Sequence, residues 1–251
     1  MRKEIFLASY FGGLGDSLQF STLPELYSKA GYDVYIWDNA YFRNREIKEL
    51  VWDHNPYVLG TKSGKWSAGD TPGRHKILNS NCISNWEMLH GFSPTNTLPK
   101  IYYKAKSLSS YEDVVLVDLT SISTLYSIDS LSSSIDKLQK EVFKGKRLLQ
   151  VRFKNDLNPR GAPAGIAHDG IFNCYNLLED SIEVSSLLNY CDLMNSCFGI
   201  IALHAGASHL SSCIKQQNPK LKSVCLIPRN QYEDNTNRSV FIFDNIQYVL
   251  V

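Results

Sequence analysis

The feature that most constrains this chain is an apolar run, Glu4 to Tyr10, that breaks into Phe11-Gly12-Gly13-Leu14-Gly15 and then into a helical pattern. A strand with so few polar interruptions is covered on both faces, as strands of parallel sheets are. The helix carries Leu18, Leu23, Leu26 and Tyr27, with Asp16 or Ser17 as its cap and Gly31 as its stop after Ala30. Pro24 lies inside this pattern and is expected to kink it. Asp33 to Trp37 reads as a second strand. The three pieces form a βαβ unit and predict a parallel sheet.

The same grammar returns after residue 108. Between the two series lie a helical stretch from Arg43 to Trp52, a glycine-rich loop from Gly60 to Arg74 and a short helix from Cys82 to Leu89. Ser93 to Lys100 and Lys104 to Ser110 read as connection. The second series opens with the strand Val114 to Leu119 and an amphipathic helix from Ser127 to Phe143. The strand Arg147 to Phe153 follows, then an irregular stretch from Leu157 to Asn176 and a strand from Ile182 to Val184. A helix capped by Ser185 runs to Asn195. The strand Phe198 to Leu203, a helix to Gln217, and strands from Ser223 to Pro228 and Ile246 to Val251 complete it. The expectation is an α/β chain with two Rossmann-like domains, residues 1–108 and 109–251.

Composition narrows the function classes. With 26 Lys and Arg against 25 Asp and Glu, the net charge is +1, which gives no global electrostatic case for a nucleic acid or an anionic membrane. No apolar run approaches the ~20 residues of a membrane span. Met1-Arg2-Lys3 before Ile5 to Phe11 imitates an export signal, but Glu4 interrupts the basic end and glycines stand where a cleavage site would be. A buried first strand is the better reading. The six cysteines have no framework spacing, and reduced thiols in a cytoplasmic protein are expected.

Three strand ends carry candidate chemistry. The first is Gly12 to Asp16. Its glycines let backbone approach a ligand, and the helix start offers N–H groups. Gly13 and Gly15 with Asp38 downstream partly match a dinucleotide fingerprint, but Leu18 stands at its third position and Asp16 where a pyrophosphate would rest. The alternatives are Asp16 as a general base, or a tight turn with a capping aspartate. The second candidate is His204-Ala205-Gly206-Ala207-Ser208-His209, after a buried strand and at a helix start. Its amides, the Ser208 hydroxyl and a histidine suit a diphosphate. The third is Thr120-Ser121, with Ser123 and Thr124, past Leu119. No Asp-x-Asp, Walker loop, Gly-x-Ser-x-Gly elbow or Cys-x-x-Cys occurs.

Taken together these motifs resemble the family 9 glycosyltransferases, typified by ADP-heptose heptosyltransferases. The stretch Gly13-Leu14-Gly15-Asp16 with Leu18 and Thr22-Leu23-Pro24-Glu25-Leu26 is similar to that family's first βα turn. Gly199 to Leu210 is similar to its C-terminal strand and diphosphate-binding turn. The resemblance implies a GT-B fold of two facing Rossmann-like domains, acceptor in the N-terminal half and donor in the C-terminal half. It implies metal-independent, inverting transfer from a nucleotide-diphosphate sugar, a co-substrate, with no cofactor. Asp16 would be the base, and Gly13, Gly15 and His204 are expected among the substrate- and donor-binding residues. Thr120, Ser121, Gly206, Ala207, Ser208 and His209 would surround the donor phosphates. The chain departs from the family at His204 and Ala205, where an acidic residue and Thr are usual, and it lacks a lysine soon after Ser121. Arg152 or Lys154 is the expected substitute. The acceptor hydroxyl would belong to a glycan, a lipid-linked sugar, a protein or a modified DNA base, with the Gly60 to Arg74 loop near it. A non-catalytic nucleotide or nucleotide-sugar binding module and an NAD-type enzyme are the alternative readings.

Overall fold

The computed structural model describes residues 2–8, 12–65, 68–69, 79, 81–121, 124–154, 173–233 and 242–251. The chain divides into two compact units, Met1–Tyr103 with Asp234–Phe243, and Lys104–Glu233 with Asp244–Val251. The division at Tyr103 falls a little ahead of the expected 108/109, because the chain from Ala105 to Leu108 is already hydrogen-bonded to the second unit. Ala105, Lys106 and Leu108 N–H groups donate to Gln217, Asp192 and Ser196. The aromatic residue Phe243, fully buried, belongs to the first unit although it follows most of the second in sequence.

The first unit contains β1 (Lys3–Ala8), α1 (Leu14–Gln19), α2 (Leu23–Lys29), β2 (Tyr32–Trp37), α3 (Arg45–Lys48), β3 (Thr61–Lys62), β4 (Ala68–Gly69) and α4 (Cys82–Leu89). Its parallel sheet has the order β3-β2-β1-β4, with Ile5 opposite Val34 and Leu7 opposite Ile36. Leu7, Val34 and Ile36 are buried, as are Leu18, Leu23, Leu50 and Ile83 from the helices around them. Two expectations change here. The single kinked helix is two helices separated at Phe20–Thr22, and Pro24 sits in the first turn of α2, where a missing N–H costs nothing. The stretch from Arg43 to Trp52 starts later, at an Asn44 cap, and widens into a π-helical turn over Glu49–Asp53. The loop from Gly60 supplies β3 and β4; its positions 66–67 and 70–74 lie outside the described residues, as does 155–172.

The second unit contains β5 (Val114–Asp118), β6 (Thr120–Ser121), α5 (Ile128–Glu141), β7 (Arg147–Phe153), β8 (Asn173–Cys174), β9 (Ser181–Val184), α6 (Leu187–Ser196), β10 (Gly199–Leu203), α7 (Gly206–Gln217), β11 (Lys222–Ile227), α8 (Arg229–Glu233) and β12 (Gln247–Leu250). Six parallel strands run in the order β12-β11-β10-β5-β7-β9, and β6 pairs antiparallel with β8. Read from β9, that order is the doubly wound one, third-second-first and then fourth-fifth-sixth. Val114 to Val117 and Ile200 to Leu203 are buried because helices cover both faces of the sheet. Ser186, not Ser185, caps α6, its hydroxyl accepting the Asn189 N–H. Cysteines 82, 191, 197, 213 and 225 are free and buried, and burial pushes their thiols up.

Candidate active site

In the first unit the glycines seat side chains rather than open a phosphate cradle. Gly12 has φ +64°, and a Cβ there would lie 2.6 Å from the Tyr41 carbonyl oxygen. The bare backbone lets the chain after β2 come close, so that the Arg43 N–H donates to the Gly12 carbonyl at 3.0 Å. Gly13 has ordinary extended backbone, but a Cβ there would meet Asp16 Oδ2 at 2.5 Å and Arg43 Nη1 at 3.4 Å. The Asp16 carboxylate occupies that space and accepts the Gly13 N–H at 3.2 Å. Its neighbours Ser17 and Leu18 turn into the core while Asp16 stays half-buried. The carboxylate is therefore held at the strand end and not in the interior. Gly15 lies inside α1, its carbonyl accepting from Gln19 Nε2 at 3.4 Å.

This geometry works against a dinucleotide. The amide that would receive a pyrophosphate, Gly13 N–H, already bonds a carboxylate. Asp38, the candidate ribose partner, is exposed and accepts from Ser63 Oγ at 2.5 Å and Asn39 Nδ2 at 3.3 Å.

In the second unit, β5 and β10 are neighbours and belong to opposite arms of the doubly wound order, with Ala202 opposite Asp118. The crevice beyond the carboxyl ends of such a pair is where ligands bind in open α/β sheets. Thr120-Ser121 and His204 to Ala207 both stand there. At the start of α7, Ala205 supplies no side-chain cap, and the Gly206 and Ala207 N–H groups bond nothing among the described residues. Ser121 is 2% exposed, and its buried Oγ has no hydrogen-bond partner among the described residues.

Other expected donors at this turn have different work. Ser208 is buried, its hydroxyl donating to the Ala205 carbonyl at 2.8 Å, because its position on α7 faces the sheet. His209 is buried one residue further and its Nδ1 lies 2.9 Å from the same carbonyl, so Nδ1 carries the hydrogen. Burial and the neighbouring His204 push His209 down to about 4, so it is no cation for a diphosphate at neutral pH. His204 Nδ1 lies 3.4 Å from Gln231 Oε1, and the Gln231 Nε2 group donates to Thr124 Oγ1 at 2.8 Å. The His204 N–H is shared between the Leu226 carbonyl and Tyr126 Oη, both at 3.1 Å, and the Tyr126 hydroxyl donates to the same carbonyl at 3.3 Å.

Arg152 and Lys154, expected to replace the phosphate lysine, are both exposed and engaged. Arg152 Nη1 donates to Asn176 Oδ1 at 3.1 Å, and Lys154 pairs with Glu183 at 3.4 Å. Ser123 lies outside the described residues.

Asp118 and Gln150 shape this site and carry no expected role. Asp118 ends β5, 1% exposed, and its Oδ1 accepts both the N–H of Thr120 at 3.0 Å and its Oγ1–H at 2.5 Å. Tyr190 Oη donates to Oδ2 at 2.7 Å. Burial pushes the Asp118 carboxyl up, against the downward pull of these hydrogen bonds. Gln150, buried in the middle of β7, donates to the Tyr175 carbonyl at 2.6 Å. Its Oε1 accepts the Leu177 and Leu178 N–H groups at 3.0 and 3.1 Å. Residues 175–178 are thereby strapped to the sheet next to β8, the partner of β6. A polar residue within an otherwise apolar strand was the available signal for both.

No protein-family model and no curated protein matches the sequence. Solved structures are similar in fold. TibC from enterotoxigenic E. coli H10407, a dodecameric iron-containing glycosyltransferase, superposes with a TM-score of 0.61 at 13% identity over 90% of this chain. TibC solved with ADP-D-beta-D-heptose gives 0.62 at 12% identity. The chain spans only 58% to 60% of the TibC chains. A family 9 glycosyl transferase from Veillonella parvula gives 0.56 at 10% identity, covering 99% of this chain and 85% of that one. ADP-heptose LPS heptosyltransferase II of E. coli gives 0.59 at 9% identity, covering 98% and 90%. TibC contains iron; among the described residues here, no group of three or more His, Cys, Asp or Glu side chains is arranged to hold a metal ion. No helix among the described residues is long and apolar enough to cross a membrane. With two Rossmann-like units and these neighbours, the chain has the α/β, GT-B-type fold of the family 9 heptosyltransferases.

Proposed function

We propose that this chain is a glycosyltransferase that moves a sugar from a nucleotide-diphosphate donor to an acceptor hydroxyl with inversion at the anomeric carbon. One observation carries the reading. At the switch point of the doubly wound sheet, the turns after β5 and β10 present two helix amides, Gly206 and Ala207, and a buried hydroxyl, Ser121, none of which has a partner among the described residues. Amides at a helix start stabilise a departing diphosphate without a metal ion. The likeness to TibC, solved with ADP-D-beta-D-heptose, agrees with a donor of that class.

In this mechanism the acceptor oxygen attacks the anomeric carbon as Asp16 takes its proton. The bond from that carbon to the diphosphate oxygen breaks, and its electron pair leaves on the diphosphate, where the Gly206 and Ala207 amides receive the charge. Asp16 is suited to the task because its Oδ2 is anchored by the Gly13 N–H, which fixes the carboxylate at the loop. Ser208 and His209 give their hydrogens to the Ala205 carbonyl and not to the diphosphate, and Arg152 and Lys154 are not required. The acceptor hydroxyl belongs to a glycan, a lipid-linked sugar, a protein or a modified DNA base, in a cytoplasmic setting.

The test compares wild type with Asp16→Asn on a panel of ADP-, UDP-, GDP- and CDP-sugars. Retained donor affinity with turnover reduced about a hundredfold or more is the expected result. Wild-type turnover in the variant overturns the base assignment. Tight binding with neither transfer nor donor hydrolysis in the wild type makes the chain a binding module instead.

A further inference from the structure

Asp118 is a buried carboxylate at the switch point that the mechanism leaves unused, and its contacts fix the polarity of Thr120. A threonine hydroxyl has a single hydrogen and two lone pairs. Here that hydrogen points to Asp118 Oδ1 at 2.5 Å. The same oxygen faces the Thr120 N–H at 3.0 Å, a group that only donates, so Oδ1 is an acceptor. Burial pushes Asp118 up, but a proton added to the carboxyl would go to Oδ2, on the side of Tyr190 Oη. The Thr120 hydroxyl thus keeps its orientation whichever form Asp118 takes. Ser121, the next residue, has no such partner: its buried hydroxyl hydrogen meets no acceptor among the described residues.

We infer that Asp118 is a positioning residue that turns Thr120 into an acceptor, so that this strand end takes a ligand hydroxyl at Thr120 and phosphate oxygen at Ser121 and the α7 amides. The inference rests on the proposed donor site and divides it by chemistry. A phosphate oxygen at Thr120 would meet lone pairs, whereas a ribose or sugar hydroxyl would donate into them.

Calorimetric titration of the full chain with two probes tests this: inorganic pyrophosphate, and the tightest-binding sugar nucleotide of the ADP-, UDP-, GDP- and CDP-sugar panel. Thr120→Val is expected to weaken the sugar nucleotide about three- to tenfold, the size of one hydrogen bond, and to leave pyrophosphate within about twofold. Ser121→Ala is expected to weaken both. Asp118→Leu should match Thr120→Val, and the double variant should be no weaker than either single one, because the carboxylate acts through the hydroxyl. Asp118→Asn retains an acceptor oxygen and should bind nearly as the wild type does; it and Thr120→Val carry the test if Asp118→Leu fails to fold. Equal weakening of both probes by Thr120→Val overturns the inference, as do additive losses in the double variant. If Ser121→Ala weakens both probes while Thr120→Val weakens neither, the donor site stands and the division of it falls. If the wild type binds neither probe, the donor site falls and the inference with it.

Discussion

Replacing Gln150 by leucine removes the clamp on residues 175–178 with little change in volume. Three backbone groups lose their partners: the Tyr175 carbonyl, bonded at 2.6 Å, and the Leu177 and Leu178 N–H groups at 3.0 and 3.1 Å. A buried polar group left unmade costs about 1–3 kcal/mol, and the low end applies because Tyr175, Leu177 and Leu178 are only half-buried. The loss is then about 3 kcal/mol, reduced by about 1 kcal/mol for the added apolar burial. A net destabilisation of about 2 kcal/mol lowers the melting temperature by roughly 4–8 °C. Thermal unfolding combined with amide exchange at Leu177 and Leu178 measures both parts. A melting temperature within a degree of the wild type, with those two amides still protected, refutes the clamp.

Other consequences are as direct. Gly13→Ala tolerates the backbone but displaces the Asp16 carboxylate, so turnover should fall at least tenfold while the melting temperature drops by less than about 4 °C, as rate and melting measurements on one preparation will show. Burial alone would raise Glu25, yet hydrogen bonds from Lys29 and Lys100, the Lys100 charge and the Tyr102 hydroxyl hold it at about 2. Its folded value lies below the unfolded 4.5, so its stabilisation is complete above pH 4.5 and is lost as pH falls toward 2. Urea melts across that window should show about 1–2 kcal/mol of acid loss that Glu25→Gln lacks. His209 has its value lowered to about 4 from 6.5, so the unfolded chain binds the extra proton and stability falls as pH drops from 6.5 toward 4. His209→Gln should remove about 2–3 kcal/mol of that dependence in the same melts. Tyr126→Phe leaves the His204 N–H bonded to the Leu226 carbonyl and removes only the phenol's own hydrogen bonds, so it should cost about 1 kcal/mol in urea melts.

What could be read in advance followed from periodicity and strand ends. The apolar runs at Val114 and Gly199 became β5 and β10, and the turns after them stand side by side at the switch point because parallel pairing brings Asp118 opposite Ala202. Side-chain direction was not legible. Ser208 and Ser121 look equally suited to phosphate in a linear string and are equally buried, but Ser208 gives its hydrogen to Ala205, whereas Ser121 keeps its hydroxyl unengaged among the described residues. The glycines at 12 and 13 signalled close approach without saying of what; the approaching groups are Tyr41 and the Asp16 carboxylate. Gln150 gave no clue to its partners because they lie across an irregular stretch of chain, reached only through tertiary pairing.

The burial of Phe243 in the N-terminal unit bears on how the molecule comes into being. During synthesis the residues up to Tyr103 emerge first, yet that module is complete only after every strand of the larger sheet except β12 has been made. The first module is therefore assembled from two stretches of chain, and a single cleavage after Tyr103 does not release it whole.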